Sequence, residues 1–448
     1  MPGLISLATE ANYAELRQSS LRGKDGVGPI VNTSRGYPLI KSSGEKIATP
    51  YSFGALSNVT LFEIAVFFLA FSTGFNGLYI ASESQILSLA MGVVDIAFDL
   101  LLFVIAITKM NKVRSVLLLS VVVVCSVFVS YHSGTFLFIK LLLLVVCATG
   151  EKAEGFLTAL KLSFSLVLIA GILLDSIGLG SEAQFRRNGI AFGFSHPNQA
   201  ALIAVALFAV MLVEGEVKEK RFRFKAGYIL LFLYIALTGS RSSLLVFIII
   251  YIASCCVMRH KTIVANKMLL LLSSLLPVVV FLFAVITPTM LYQSPVIQAM
   301  DSVFSWRIWL NWFALDTFDV TLFGQQANLS VAGVYNDLRN AGNITTTVDC
   351  TYVGGLLRYG LVGMVMWLGL YVSAIRFSWQ KESFGIAIVL IIFSLYAFTE
   401  SQFMDPFINF GIVAAFMVSR STNQDDGRRY RHAVFSKALL DGSERTKD

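Results

Sequence analysis

Apolar runs of roughly 18 residues or more follow one another along most of this chain. In water such runs have nowhere to go. Of the 448 residues 56% are hydrophobic and 14% charged, and a soluble core cannot cover that much apolar surface. Mean hydropathy is +0.72. As helices, the same runs can cross a bilayer with every backbone polar group bonded inside the segment. The expected fold is therefore an all-α polytopic membrane protein. About twelve candidate spans are readable by length and periodicity, at 59–79, 85–107, 113–131, 135–149, 157–177, 198–214, 226–238, 242–258, 268–289, 353–375, 384–400 and 404–419. Between the seventh and eighth, Thr238-Gly239-Ser240-Arg241 predicts a tight turn in place of one over-long helix. No repeat of fixed period is visible.

Charge sets the expected orientation. With the N-terminus inside, the inner connections carry Lys109, Lys112, Arg114, Lys152, Lys218, Lys220, Arg221, Arg223, Lys225, Arg259, Lys261, Lys267, Arg376 and Lys381. The outer connections and span mouths carry Arg186, Arg187, Arg241, Arg307, Arg339 and Arg358. Among the connections lysine is confined to the inner side, while Lys140 stands inside the fourth span. This follows the positive-inside rule and places both termini in the cytoplasm. Residues 1–57 are polar, rich in Gly and Ser, and lack an apolar core near their start, so they are expected to be a flexible cytoplasmic tail and not a signal peptide. Residues 58–420 form the transmembrane domain, and 421–448 a basic cytoplasmic tail. The net charge of +7 sits mainly in tails and short connections, which speaks for anionic lipid and against nucleic acid as a partner. Cys125, Cys147, Cys255 and Cys256 lie in apolar runs and Cys350 stands alone, so neither a disulfide framework nor a cysteine metal site is expected.

One stretch does not fit a membrane span. From about Tyr292 to Tyr352 the chain is polar, punctuated by Gly and rich in Trp. It holds Asp301, Asp316, Asp319, Asp337, Asp349, Arg307 and Arg339, and no Lys. A connection this long is kept for function or is disordered, and its aromatic content argues against disorder. It is expected as one large extracytoplasmic loop over 290–352. Asp301 to Phe313 reads as an amphipathic helix whose Trp306, Trp309 and Trp312 form a stripe for the bilayer interface. Two other outer stretches carry chemistry. Before the sixth span, Arg186, Arg187, His196 and Asn198 converge, with Pro197 suited to a first helical turn. Free N–H groups there make an anion site. A cap that only starts a helix explains the same residues. At the mouth of the eighth span stands Arg241, which faces either a wet interior or lipid head groups. Inside the spans, Asp95 and Asp99 share one helix face, and with Glu63 they either serve function, cap backbone or pair with Lys140.

Three segments together resemble one family. Arg186 or Arg187 with His196, Pro197 and Asn198 comes first; then Leu237, Thr238, Ser240 and Arg241; then Arg307, Ile308, Trp309, Gly324, Asp349, Tyr352, Tyr359 and Gly360. Their order over roughly residues 180 to 365 is similar to the O-antigen ligase/polymerase superfamily. Ligases of the superfamily carry a His in the large loop, and this loop has none, so the resemblance points to a Wzy-type polysaccharide polymerase.

The resemblance implies a GT-C-like architecture in a bacterial cytoplasmic membrane. It also implies a glycosyltransferase that polymerises undecaprenyl-pyrophosphate-linked repeat units at the outer face; no metal cluster is readable in the sequence, so metal-independent transfer without cofactor is expected. A flippase and a chain-length regulator are the implied protein partners. The residues expected to act are Asp349 or His196 as base, with Asp349 preferred and His196 then a donor to a phosphate or sugar oxygen, and Arg187, Arg241 and Arg307 on the leaving pyrophosphate. Arg186, Arg187, Asn198, Tyr352 and Trp309 are expected to bind substrate. Arg is the apt cation, because its planar fork holds phosphate bidentately and keeps its proton. The competing readings are an O-antigen-type ligase and a lipid-linked oligosaccharide flippase in which Asp95 and Asp99 relay ions.

Overall fold

A computed structural model describes residues 59–109, 113–148, 151–180, 189–218, 226–259, 267–327 and 348–418. Both tails, Arg186, Arg187, Arg339 and the centre of the long insert lie outside the described residues. Among the described residues the protein is helical and has no strand beyond one isolated bridge, Leu78 to Phe194. The helices are α1 Leu61–Phe75, α2 Tyr79–Glu83, α3 Gln85–Lys109, α4 Val113–Ser133, α5 Leu137–Cys147, α6 Ala153–Ser176 and α7 Pro197–Val217. They continue with α8 Ala226–Leu237, α9 Arg241–Arg259, α10 Lys267–Thr289, α11 Pro295–Val303, α12 Arg307–Thr317, α13 Thr351–Gln380 and α14 Phe384–Tyr396.

Among the described residues, five segments are long and apolar enough to cross a membrane unaided: Gln85–Lys109, Ala153–Ser176, Pro197–Val217, Met268–Thr289 and Thr351–Gln380. Six shorter apolar helices accompany them among the described residues, so the chain has the make-up of a multi-pass membrane protein. Helix α7 is apolar all round and buried on nearly every face, as expected for the centre of a bundle. Its alanines let α6, α8, α9 and α14 approach closely. Helix α3 is the opposite case, with little of its apolar surface covered.

The last two expected spans differ from the sequence reading. Helix α14 stops at Tyr396, and regular helix resumes only at 411–418. The stretch between is mostly buried and irregular, apart from a short 3-10 turn at Gln402–Met404. Irregular backbone is tolerated at such a place only if its polar groups are satisfied. The Asp405 carboxylate accepts from the N–H groups of Phe407 (2.8 Å) and Ile408 (3.4 Å), and the Asn409 amide donates to the Phe403 carbonyl (3.1 Å). The turn between α8 and α9 forms as expected, with Gly239 at φ 69°.

The two ends of the bundle differ chemically. At one end Lys109 pairs with Glu151 (2.6 Å), Lys161 with Glu214 (2.6 Å) and Lys218 with Glu154 (3.1 Å). The insert leaves from the other end after α10 and returns there at α13. Its first leg is bonded to α13: Gln325 N–H donates to Arg358 O (3.1 Å), Leu361 N–H to Thr321 O and Val362 N–H to Leu322 O (both 3.0 Å). Leu361 and Val362 can donate outward because Gly360, at φ 70°, breaks the helical register. Here Gly324 and Gly360 face each other so closely that a Cβ on Gly360 would lie 2.3 Å from the Gly324 nitrogen.

Candidate functional site

The expected outer stretches meet at the insert end. The segment before α7 is held on the α8–α9 turn, where Ile190 N–H donates to Leu237 O at 3.0 Å. The start of α9 is held on the end of α14: the Ser240 and Ser243 hydroxyls lie 2.8 Å apart, and Ser243 lies 2.6 Å from the Tyr396 hydroxyl. Just beyond Tyr396 comes Glu400, with a hydrogen bond from Ser242. Glu400 Oε1 is 3.9 Å from a terminal nitrogen of Arg307, whose Nε is 3.8 Å from Asp349 Oδ2.

Arg307 owes its position to a helix break. Ser305 and Trp306 both take left-handed backbone, at φ 58° and 66°. The buried Asp301 carboxylate accepts from the N–H groups of Ile308 (2.8 Å) and Trp309 (3.1 Å), at the first turn of α12. The expected single helix over Asp301 to Phe313 is therefore two helices, α11 and α12. A continuous helix would bond those two donors internally and leave the buried Asp301 without them. The expected tryptophan stripe is divided too. Trp306 is exposed, Trp309 stacks on Phe313 at 5.6 Å, and Trp312 meets Tyr292 edge-on at 5.0 Å. Trp309 and Trp312 both pack against the core.

Asp349 sits where the insert returns. Next to it, Thr351 N–H donates to Ala397 O (2.8 Å) and Glu400 O (3.2 Å), which holds the Asp349 segment against the Glu400 segment. Cys350 between them is buried, and that burial pushes its thiol up to about 11, so it is no nucleophile. Burial likewise pushes the Glu400 carboxyl up from 4.5 to about 8. The Arg307 charge opposes this shift, and the Asp349 charge adds to it. Glu400 lies in the connection after α14, outside the membrane-crossing helices.

At 3.8 and 3.9 Å the two Arg307 contacts are ion pairs too long to be hydrogen bonds. The Asp349 charge thus orients the guanidinium fork, and among the described residues no hydrogen bond engages its donors, which can serve a ligand. Arg241 is exposed at the first position of α9, beside Ser242, where a helix N-terminus adds partial positive charge. No family model, curated protein or solved structure matches the chain.

Other expected site residues fall as follows. His196 is the N-cap of α7, and its Nδ1 accepts from Asn198 N–H at 3.1 Å. That bond assigns the proton to Nε2 and makes His196 a donor on its other side. Asn198 serves through its backbone in this cap. Tyr352 is not presented to a substrate. It is wholly buried, donates its hydroxyl to Ser394 O at 2.7 Å and packs edge-on against Trp367. Its task is to hold α13 on α14. Asp95 and Asp99 pair with Lys140, at 3.9 and 3.4 Å. Glu63 closes a capping box with Thr60. Glu400 was not singled out in the sequence, although a carboxylate at the end of an apolar run was a signal for it. Among the described residues, no group of three or more His, Cys, Asp or Glu could hold a metal ion.

Proposed function

We propose that this chain is a membrane glycosyltransferase that polymerises lipid-linked oligosaccharide repeat units at the outer face of a bacterial cytoplasmic membrane. The observation that carries the reading is Arg307, paired with Asp349, set beside Glu400 and without a hydrogen bond among the described residues, so that its donors can serve an anion. In the reaction an acceptor hydroxyl attacks the anomeric carbon of the lipid-linked glycan. The bond from that carbon to the pyrophosphate oxygen breaks, and the bonding pair leaves with the pyrophosphate. Arg307 and Arg241 stabilise this developing charge. Asp349 takes the hydroxyl proton. His196 donates from Nε2 to a phosphate or sugar oxygen. Glu400, with its carboxyl pushed up to about 8, can pass a proton near neutral pH. The absence of His from the insert favours a polymerase over a ligase.

The test is polymer formation by purified protein given lipid-linked repeat units. Asp349→Asn should fall by about 10²- to 10⁴-fold, the usual worth of a general base. His196→Gln should fall less. Near-normal turnover by Asp349→Asn with an inactive His196→Gln reverses the two roles. Wild-type protein that forms no polymer but moves repeat units across vesicles replaces the polymerase by a flippase.

A further inference from the structure

On the far side of the Asp349 and Glu400 segments lies a polar cavity of about 580 Å³. It has a simple origin. Helix α3 has 25 residues and α5 only 11, which at about 1.5 Å per residue leaves the N-terminal half of α3 longer than its neighbour. The two are tied at their C-terminal ends, where Lys109 Nζ donates to Cys147 O at 2.6 Å. The first part of α3 therefore faces open space, and Asp95 and Asp99 line it, with Lys140 at the start of α5 below them. Asn76, Gln199, Arg358 and Asp405 are among the other polar residues of the lining.

Two properties of this lining point to a ligand. Buried oxygens Asp95 Oδ1, Asp99 Oδ1 and Gln199 Oε1 have no hydrogen-bond partner among the described residues. Asp95 Oδ1 has only the long 3.9 Å contact to Lys140; buried acceptors without a hydrogen bond are costly and call for a molecule rich in donors. Lys140, Arg358 and Asn76 are donors in the same walls, so that molecule must accept as well. Hydroxyl groups do both, and the aromatic side chains of Phe136 and Tyr359 offer apolar faces beside them. The volume falls in the roughly 300–1,000 Å³ range of small-molecule sites. Val348 and Thr351 bracket Asp349, and Ser401 follows Glu400, and all three line the cavity. One wall thus separates it from Arg307.

We infer that this cavity is a carbohydrate-binding site for the sugar end of a lipid-linked glycan, with Asp95, Asp99 and Gln199 accepting from sugar hydroxyls and Lys140 and Arg358 donating to them. The glycan part of the inference rests on the reading under Proposed function; the binding of sugar does not.

The experiment is saturation-transfer NMR on detergent-purified full-length protein with lactose, maltotriose and chitotriose as probes. The variants are Asp99→Asn, Gln199→Met and Arg307→Lys. The Gln199 oxygen has no partner to lose, so Gln199→Met should keep or raise thermal stability. At least one probe should bind wild-type protein. Asp99→Asn and Gln199→Met should each weaken binding about tenfold, while Arg307→Lys should bind normally although its transfer activity falls. Binding that is unchanged in a folded Gln199→Met overturns the inference. So does binding of no probe by wild-type protein, which makes the cavity an internal ion-pair network. Sugar binding without polymerase activity keeps the site and removes only the reaction.

Discussion

Glu400 gives a sharp test of the site's electrostatics. Its carboxyl sits at about 8 in the folded protein against 4.5 in the free side chain, mainly through burial, and its side chain is 12% exposed. That difference corresponds to about 5 kcal/mol of extra cost for the ionised form at pH well above 8. The sign follows from proton counting. Between 4.5 and about 8 the folded state binds the proton more than the unfolded state does, so stability is greatest at the acid end and falls as pH rises through about 8. Glu400→Gln mimics the protonated form at every pH and removes this loss. Thermal melting of purified protein from about pH 5 to about pH 9 should show a wild-type midpoint that declines across the window and a Glu400→Gln midpoint that declines much less. Arg307→Gln should extend the decline to higher pH, because the Arg307 charge pulls the carboxyl down. Parallel wild-type and Glu400→Gln curves would refute the burial argument.

Three further outcomes are expected. Arg307→Lys keeps charge but loses the fork, and should lower kcat/KM about 10- to 150-fold, equivalent to the ~1.5–3 kcal/mol of a charged hydrogen bond; normal polymer formation at normal protein level makes Arg307 structural. Asp301→Ala removes the acceptor of two first-turn N–H groups of α12, and should cost about 0.5–2 kcal/mol of stability and part of the activity; a wild-type melting curve with wild-type activity sinks the claim that Asp301 positions Arg307. Gly360→Ala puts a Cβ 2.3 Å from the Gly324 nitrogen at φ 70°, and should lower the melting midpoint or prevent folding; an unchanged midpoint refutes the close approach.

Much of this was legible in sequence, because length and hydropathy decide helices and because Gly, Pro and Ser decide turns. The α8–α9 turn and the Pro197 start of α7 stand where those rules put them. Arg307 and Asp349 were nominated for charge and position, and the structure pairs them. Glu400 stands at the end of an apolar run, but its pairing with Arg307 depends on the chain leaving the helix after Tyr396, so its position in sequence marks it without naming its partner. The break at Ser305 and Trp306 escaped sequence reasoning. Asp301 caps donors seven and eight residues on, outside the usual spacing of a helix cap. Tyr352 was misread because a tyrosine at a helix start offers the same letters whether its hydroxyl faces a substrate or a Ser394 carbonyl.

The break at Gly360 also decides what moves with what. The first leg of the insert is bonded on both sides of it, to Arg358 O above and to the Leu361 and Val362 N–H groups below, while Thr351 above it is fastened to the Glu400 segment. The insert therefore works as a splint across the one weak point of α13. A tug on the insert is felt at once by the Asp349 end and by the first turn of the lower helix. By the same token, adding or deleting one residue between Thr321 and Gln325 would slip the bonded register and strain both halves of α13 against each other.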